Sequence, residues 1–138
     1  MSDSGIYTKK KPVSFTFGDS RELCDRLLAL VRSGKKTASC GALRDFTEGG
    51  EELPEVGRRD TALDWDGNPA LLIETTEVSI RRFREVTEDF ALAEGEGDFD
   101  AWTAGHIDYF SRNGGFDPDM ELVCERFRLI EVLSCAVS

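Results

Sequence analysis

The chain has 138 residues, of which 40% are apolar, enough for a single buried core and too little for two. Seventeen Lys and Arg against 27 Asp and Glu give a formal charge of −10. A field of that sign repels phosphate, so the surface as a whole is not expected to coat DNA or anionic lipid. No apolar run has the length of a membrane span and no signal-type segment opens the chain, so a cytoplasmic protein is the expectation.

Residues 1–12 are polar and unpatterned, with Lys9, Lys10 and Lys11 ahead of Pro12, and read as a solvated arm before a single domain over 13–138. Val13 to Phe17 alternates like a half-buried strand. After Gly18, Asp19 and Glu22 have the spacing of a capping box. Leu23, Leu27, Leu30 and Val31 then fall on one helical face, which Gly34 closes. Lys35 to Cys40 follows as a short strand, and Arg44 to Val56 as a long polar loop. Thr61 to Trp65, the turn Asp66-Gly67-Asn68 and Ala70 to Ile80 make a hairpin. Val86 to Ala93 suits a short helix opened by Thr87. Phe99, Trp102, His106, Tyr109 and Phe110 recur at helical spacing, and Leu122 to Leu133 is a closing strand. Strands come first and last with helices between, without βαβ alternation. That order favours an α+β chain with a small curled sheet or barrel and flanking helices.

The four cysteines, Cys24, Cys40, Cys124 and Cys135, form no C-x-x-C pair, and His106 is the one histidine. They read as reduced, mostly buried small residues, and no metal or cofactor is expected. What stands out is Gly34-Lys35-Lys36-Thr37-Ala38-Ser39 at a helix-to-strand junction. A lysine can bind phosphate, or act as a base when burial neutralises it, and a neighbouring hydroxyl can serve as nucleophile. Solvated lysines near a helix C-terminus would look the same. A carboxylate flanked by glycines, in Ala93-Glu94-Gly95-Glu96-Gly97, is a second candidate. The aromatic helix face with His106 reads as core with a packed histidine. Arg58, Arg59, Arg81, Arg82 and Arg84 would form a basic groove only if the fold gathers them.

Taken in order, several segments resemble the ASCH-domain family. They are Phe15-Thr16-Phe17-Gly18-Asp19, Gly34 to Ser39, Leu53-Pro54-Glu55-Val56-Gly57, Ile73 to Val78, Phe90 to Gly97 and Val123-Cys124-Glu125-Arg126-Phe127. The resemblance implies a PUA-like fold, a small mixed β-barrel with flanking helices and a cleft beside the first helix. It implies a nucleoside-like small ligand or RNA as partner. Some members are amidohydrolases of acetylcytidine that use a lysine, a threonine three residues later and a downstream glutamate. Matched residue by residue, the lysine is Lys36, the hydroxyl is Ser39 and the glutamate is Glu94, with Lys35, Thr37 and Arg44 as substrate-binding candidates. The motif's threonine is serine here, and Gly41 stands where an arginine is common, leaving Arg44 to supply a guanidinium. The alternative is an RNA-binding module without amidase activity.

Two conditions attach to the enzymatic reading. In a regular strand, residues three apart face opposite ways, so Lys36 and Ser39 meet only if the chain bends between them. Lys36 can act as a base only if Glu94 does not hold it in a tight ion pair.

Overall fold

The computed structural model describes residues 11–133, so most of the N-terminal arm and Cys135 lie outside the described residues. Five strands form one mixed sheet in the order β1-β3-β4-β5-β2. They are β1 (Ser14–Thr16), β2 (Ala38–Ala42), β3 (Arg59–Leu63), β4 (Pro69–Arg82) and β5 (Glu121–Val132). β1 runs parallel to β3, and every other ladder is antiparallel. Among the described residues, four α-helices accompany the sheet: α1 (Arg21–Arg32), α2 (Leu43–Thr47), α3 (Glu88–Ala93) and α4 (Phe99–Arg112).

The expected α+β class holds, but the sheet is not a closed barrel. β1 and β2 are its two edges, and no ladder joins them. Phe17 and Gly18, just past β1, and Ser39 to Gly41 of β2 instead line opposite sides of a cleft. The seam where a barrel would zip shut is left open as a cavity.

Two apolar clusters hold the elements together. α1 packs Cys24, Leu27, Leu28 and Val31 with Phe17, Leu71, Ile73 and Phe127. α3 and α4 pack Phe90, Trp102 and Phe110 with Phe83, Leu122 and Cys124. The Phe83 and Trp102 rings stack with centroids 5.3 Å apart. The aromatic stripe is therefore core, as its periodicity predicts.

Local signals mark most boundaries. Gly34 takes the left-handed backbone (φ 85°) that ends α1, a conformation open to glycine at little cost. Thr87 caps α3 by accepting from Phe90 N–H. The cap of α1 differs from expectation: Ser20, not Asp19, accepts from Leu23 N–H at 3.2 Å. Asp19 is drawn away to α4, where Arg112 Nε and Asn113 Nδ2 donate to it at 2.8 and 2.9 Å. The stretch after Arg44 is not all loop, because Leu43–Thr47 forms the short α2.

Ser20→Ala removes the one side-chain acceptor at the start of α1 and is expected to lower stability by about 1 kcal/mol. Urea denaturation checks it.

Candidate functional site

The site begins where α1 ends. Past Gly34, the backbone N–H groups of Lys35 and Lys36 both donate to Leu30 O, at 3.0 and 3.1 Å. Thr37 N–H donates to Ala93 O at 2.8 Å, while Thr37 O accepts from Phe127 N–H at 3.0 Å. The segment is thus pinned between α1, α3 and β5 before the strand starts at Ala38. Lys36 belongs to this turn and not to a regular strand. The bend that the Lys36–Ser39 spacing requires is present, and the turn selects between the two lysines. Lys35 is exposed, and Lys36 is only 2% exposed.

Lys36 Nζ donates to Ala38 O at 2.8 Å, to Glu94 O at 3.4 Å and to Glu94 Oε1 at 3.2 Å. Glu96 Oε2 stands 3.6 Å away. Three acceptors for three N–H groups, with a further carboxylate behind them, are the surroundings of an ammonium. The condition that Glu94 stay clear of a tight pair is therefore not met in this state. The two side chains form a buried ion pair.

Glu94 reaches Lys36 because Gly95 follows it. Gly95 sits at φ 78°, and a Cβ there would lie 2.5 Å from Lys35 O. Only glycine lets the end of α3 lie directly against the lysine segment. From α4, His106 Nε2 approaches Glu94 Oε1 at 3.5 Å. His106 Nδ1 lies 2.9 Å from Trp102 O, and a carbonyl oxygen only accepts, so Nδ1 carries a proton. The imidazole also stacks on Trp102 at 4.3 Å. Burial by itself would raise the Glu94 carboxyl. The Lys36 ammonium, then His106 and the Cys40 thiol, overcome it and hold the group down at about 2. Burial works against the His106 imidazolium, yet the Glu94 carboxylate outweighs it and raises the ring above its ordinary value.

Lys36, Ser39, Cys40, Glu94 and His106 all line one chamber of the cleft, about 240 Å³ in volume. A second chamber of about 210 Å³ shares Phe17, Ser39, Cys40 and Tyr109 with it and continues toward Arg58, Asp60 and Glu125. The lysine, hydroxyl and glutamate named from the sequence are thereby brought to one cavity. Among the described residues, none of the hydrogen bonds of Lys36 goes to Ser39.

The other three candidates fall elsewhere. Lys35 projects to solvent, outside the lining of either chamber. Thr37 is exposed and turns its hydroxyl toward Ala93 O at 3.5 Å. Arg44 is spent on the end of α4, donating to Asn113 O at 3.2 Å and Gly115 O at 2.8 Å. None of these three meets the cleft. Nor do the arginines form one groove: Arg58 is buried on Asp60, Arg59 pairs with Glu74, and Arg84 pairs with Asp119.

His106 and Cys40 were missed as site residues. Only the four-residue spacing from Trp102 to His106 hints that the imidazole is held by a helix carbonyl, and nothing local marks Cys40. Glu125 was also missed. Burial raises its carboxyl, and Asp60 adds to the rise. Thr75, whose hydroxyl donates to it at 2.6 Å, and Arg58 compensate only in part.

With this geometry in place, comparison with known proteins is decisive. The ASCH domain model matches residues 13–131. The chain belongs to the ASCH domain family. An ASCH domain structure from Lactobacillus crispatus is 34% identical, with a TM-score of 0.80 over 89% of this chain and 80% of that one. A protein from Enterococcus faecalis is 38% identical, with a TM-score of 0.79 over 88% and 77%. A variant of an ASCH protein from Zymomonas mobilis shares the fold at 12% identity, with a TM-score of 0.55 over 92% and 77%. No functionally curated protein matches the chain. Among the described residues, no helix of this ASCH domain is long and apolar enough to cross a membrane.

Two outcomes follow for stability. Gly95→Ala forces a Cβ against Lys35 O at positive φ and should cost about 2 kcal/mol in urea denaturation. Glu125→Gln keeps an acceptor for Thr75 and removes a half-buried charge. The carboxyl is raised in the folded state, so its ionisation weakens the fold as pH rises through the folded value, above the ordinary 4.5. The variant should be more stable than the parent at neutral pH and lose that advantage below pH 4.5, in urea denaturation across pH.

Proposed function

We propose that this protein hydrolyses the amide of an acylated nucleoside or a related small amide, with acetylcytidine as the reference substrate. What carries the reading is the meeting of Lys36, Glu94 and Ser39 in one small cleft of an ASCH domain. The lining supports a small uncharged ligand over an RNA backbone. Three of its cations are already engaged, Lys36 by Glu94, Arg58 by Asp60, and Arg112 by Asp19 and Asp108, and Arg26 stands exposed at the rim. Glu96, Asp45, Glu51, Glu52 and Glu125 add further negative charge to the two chambers. Phosphates have little to gain there.

The resting ion pair sets the order of events. An acylated base that enters beside Glu94 offers the carboxylate an N–H to accept. Drawn onto the base edge, Glu94 releases Lys36, and with Glu96, 3.6 Å away, also turned aside, no carboxylate holds the ammonium. Burial then favours the neutral amine. The ammonium proton leaves to solvent. Ser39 Oγ attacks the amide carbonyl carbon, and its proton passes to Lys36 Nζ. Collapse breaks the carbon–nitrogen bond, with the proton on Lys36 going to the departing amine. Water then hydrolyses the acyl-serine, giving the acid and restoring the hydroxyl.

Lys36→Met and Ser39→Ala are each expected to abolish release of cytidine from acetylcytidine, followed by chromatography. Lys36→Met also leaves Glu94 as an uncompensated buried charge, a loss of about 3 kcal/mol. The double variant Lys36→Met/Glu94→Gln should recover most of that stability and none of the turnover. Unchanged turnover in either single variant overturns the assignment. Absence of turnover in the parent, together with RNA binding that weakens steeply with salt, would replace the hydrolase reading with that of an RNA-binding ASCH module.

A further inference from the structure

We propose that Cys40, Glu94 and His106 form a binding site for one divalent cation of the zinc class, opening onto the cleft. The proposal does not rest on the hydrolase reading, and either can fail while the other stands.

One ligand atom from each of the three residues lies within 4.8 Å of the other two. They come from three separate elements, β2, the C-cap of α3, and α4. Thiolate sulfur, imidazole nitrogen and carboxylate oxygen are the ligand types that zinc accepts together. Tetrahedral ligand atoms sit about 3.5 Å apart, so the side chains must draw in by about 1 Å.

Two features single this cluster out from a chance meeting. The first is the oxygen that nothing uses. Glu94 Oε1 is taken up by Lys36, but Oε2 is buried with no hydrogen-bond partner. A buried carboxylate oxygen without a partner is costly and calls for an occupant. The second is the histidine. Its Nδ1–H is committed to Trp102 O, and its ring is fixed by the stack on Trp102. Nε2 faces Glu94 Oε1 at 3.5 Å and, once it has given up any proton it carries, presents a lone pair into the cluster. A backbone carbonyl behind the imidazole is the outer partner that metal-bound histidines have.

Charge also closes. Thiolate and carboxylate neutralise a dication. Lys36 keeps Glu96 Oε2 at 3.6 Å as its own counter-charge. Loading releases the Cys40 thiol proton, and the His106 proton where the ring is charged, to solvent, so affinity rises with pH. Three protein ligands leave a fourth position, and all three residues line the chamber. That position is open to the cleft, where water or a ligand atom would complete the shell.

The test is titration of the metal-free full chain with Co²⁺, followed by absorption. One equivalent should bind, giving the near-ultraviolet thiolate-to-cobalt band and the strong visible bands of a tetrahedral ion, and Zn²⁺ should displace it. Cys40→Ser should abolish the near-ultraviolet band, and His106→Gln should weaken binding by about 10-fold or more. Cys24→Ser, whose thiol faces Leu63 O in the other cluster, should leave the band unchanged. Circular dichroism establishes that each variant is folded, and Zn²⁺ should raise the melting temperature of the parent but not of Cys40→Ser. Failure of cobalt to bind stoichiometrically, or a band that persists in Cys40→Ser, overturns the site.

Discussion

The buried contact between Lys36 and Glu94 is the constraint around which the rest of the molecule is arranged. Both side chains are almost wholly withdrawn from water, at 1% and 2% exposure. Removing two charges from solvent costs several kcal/mol each, and mutual attraction repays it only when the remaining donors are satisfied. Here the lysine finds Ala38 O and Glu94 O as well as the carboxylate. Lys36 and Glu94 are 58 residues apart in the chain, so the ammonium fastens the start of β2 to the end of α3. Thr37 N–H on Ala93 O adds a backbone bond across the same joint. Gly34 and Gly95, one on each segment, supply the left-handed turns that allow it.

That joint also explains why the sheet stays open. β2 is held by β5 on one side and by the α3 junction at its start, and its other edge faces the cleft. β1 is a three-residue strand whose ladder goes to β3. α4 and the turn after β1 close the rim through Asp19, Arg112 and Asn113. Unpaired sheet edges invite association with other chains, and short strands and covering helices are common ways to prevent it. In this protein the same covering elements turn the open seam into a walled cavity.

Sequence periodicity was enough to place α1, α4, the β3–β4 hairpin and the closing strand, because each is decided by its own apolar pattern. The segments that long-range bonds decide were not legible in this way. Asp19 has the spacing of a cap, and a better offer from Arg112 and Asn113, more than ninety residues away, takes it. Lys35 and Lys36 are equivalent as letters. Which of them is buried depends on the turn after Gly34 and on a glutamate that the chain reaches much later. Thr37 and Arg44 are polar residues near the motif, and each meets a backbone carbonyl before it can meet the cleft. The family resemblance reached Lys36, Ser39 and Glu94 because it encodes that long-range pairing. It carried nothing about Cys40 or His106, which enter through the packing of β2 and α4 on the end of α3.

The second buried ion pair makes clear what is unusual about the first. Arg58 and Asp60 are each about as buried as Lys36, at 3% exposure. Their polar atoms are taken up: Asp60 accepts from Val13 N–H and Arg58 Nε, and Arg58 Nη1 donates to Leu53 O. The pair ties the start of β1 to β3 and leaves no unfilled oxygen among those contacts. Glu94 differs on both counts. It is faced by an ammonium, an imidazole and a thiol, and still has one buried oxygen without a partner. A structural ion pair gains from completeness, since each unpaired polar atom in a low-dielectric interior weakens the fold. An incomplete pair at the floor of a cavity is poised to exchange partners. A substrate N–H or a cation can engage the spare oxygen before the contact of the other oxygen with Lys36 is given up. By that criterion Glu94 is the buried group of this ASCH domain most open to a new partner.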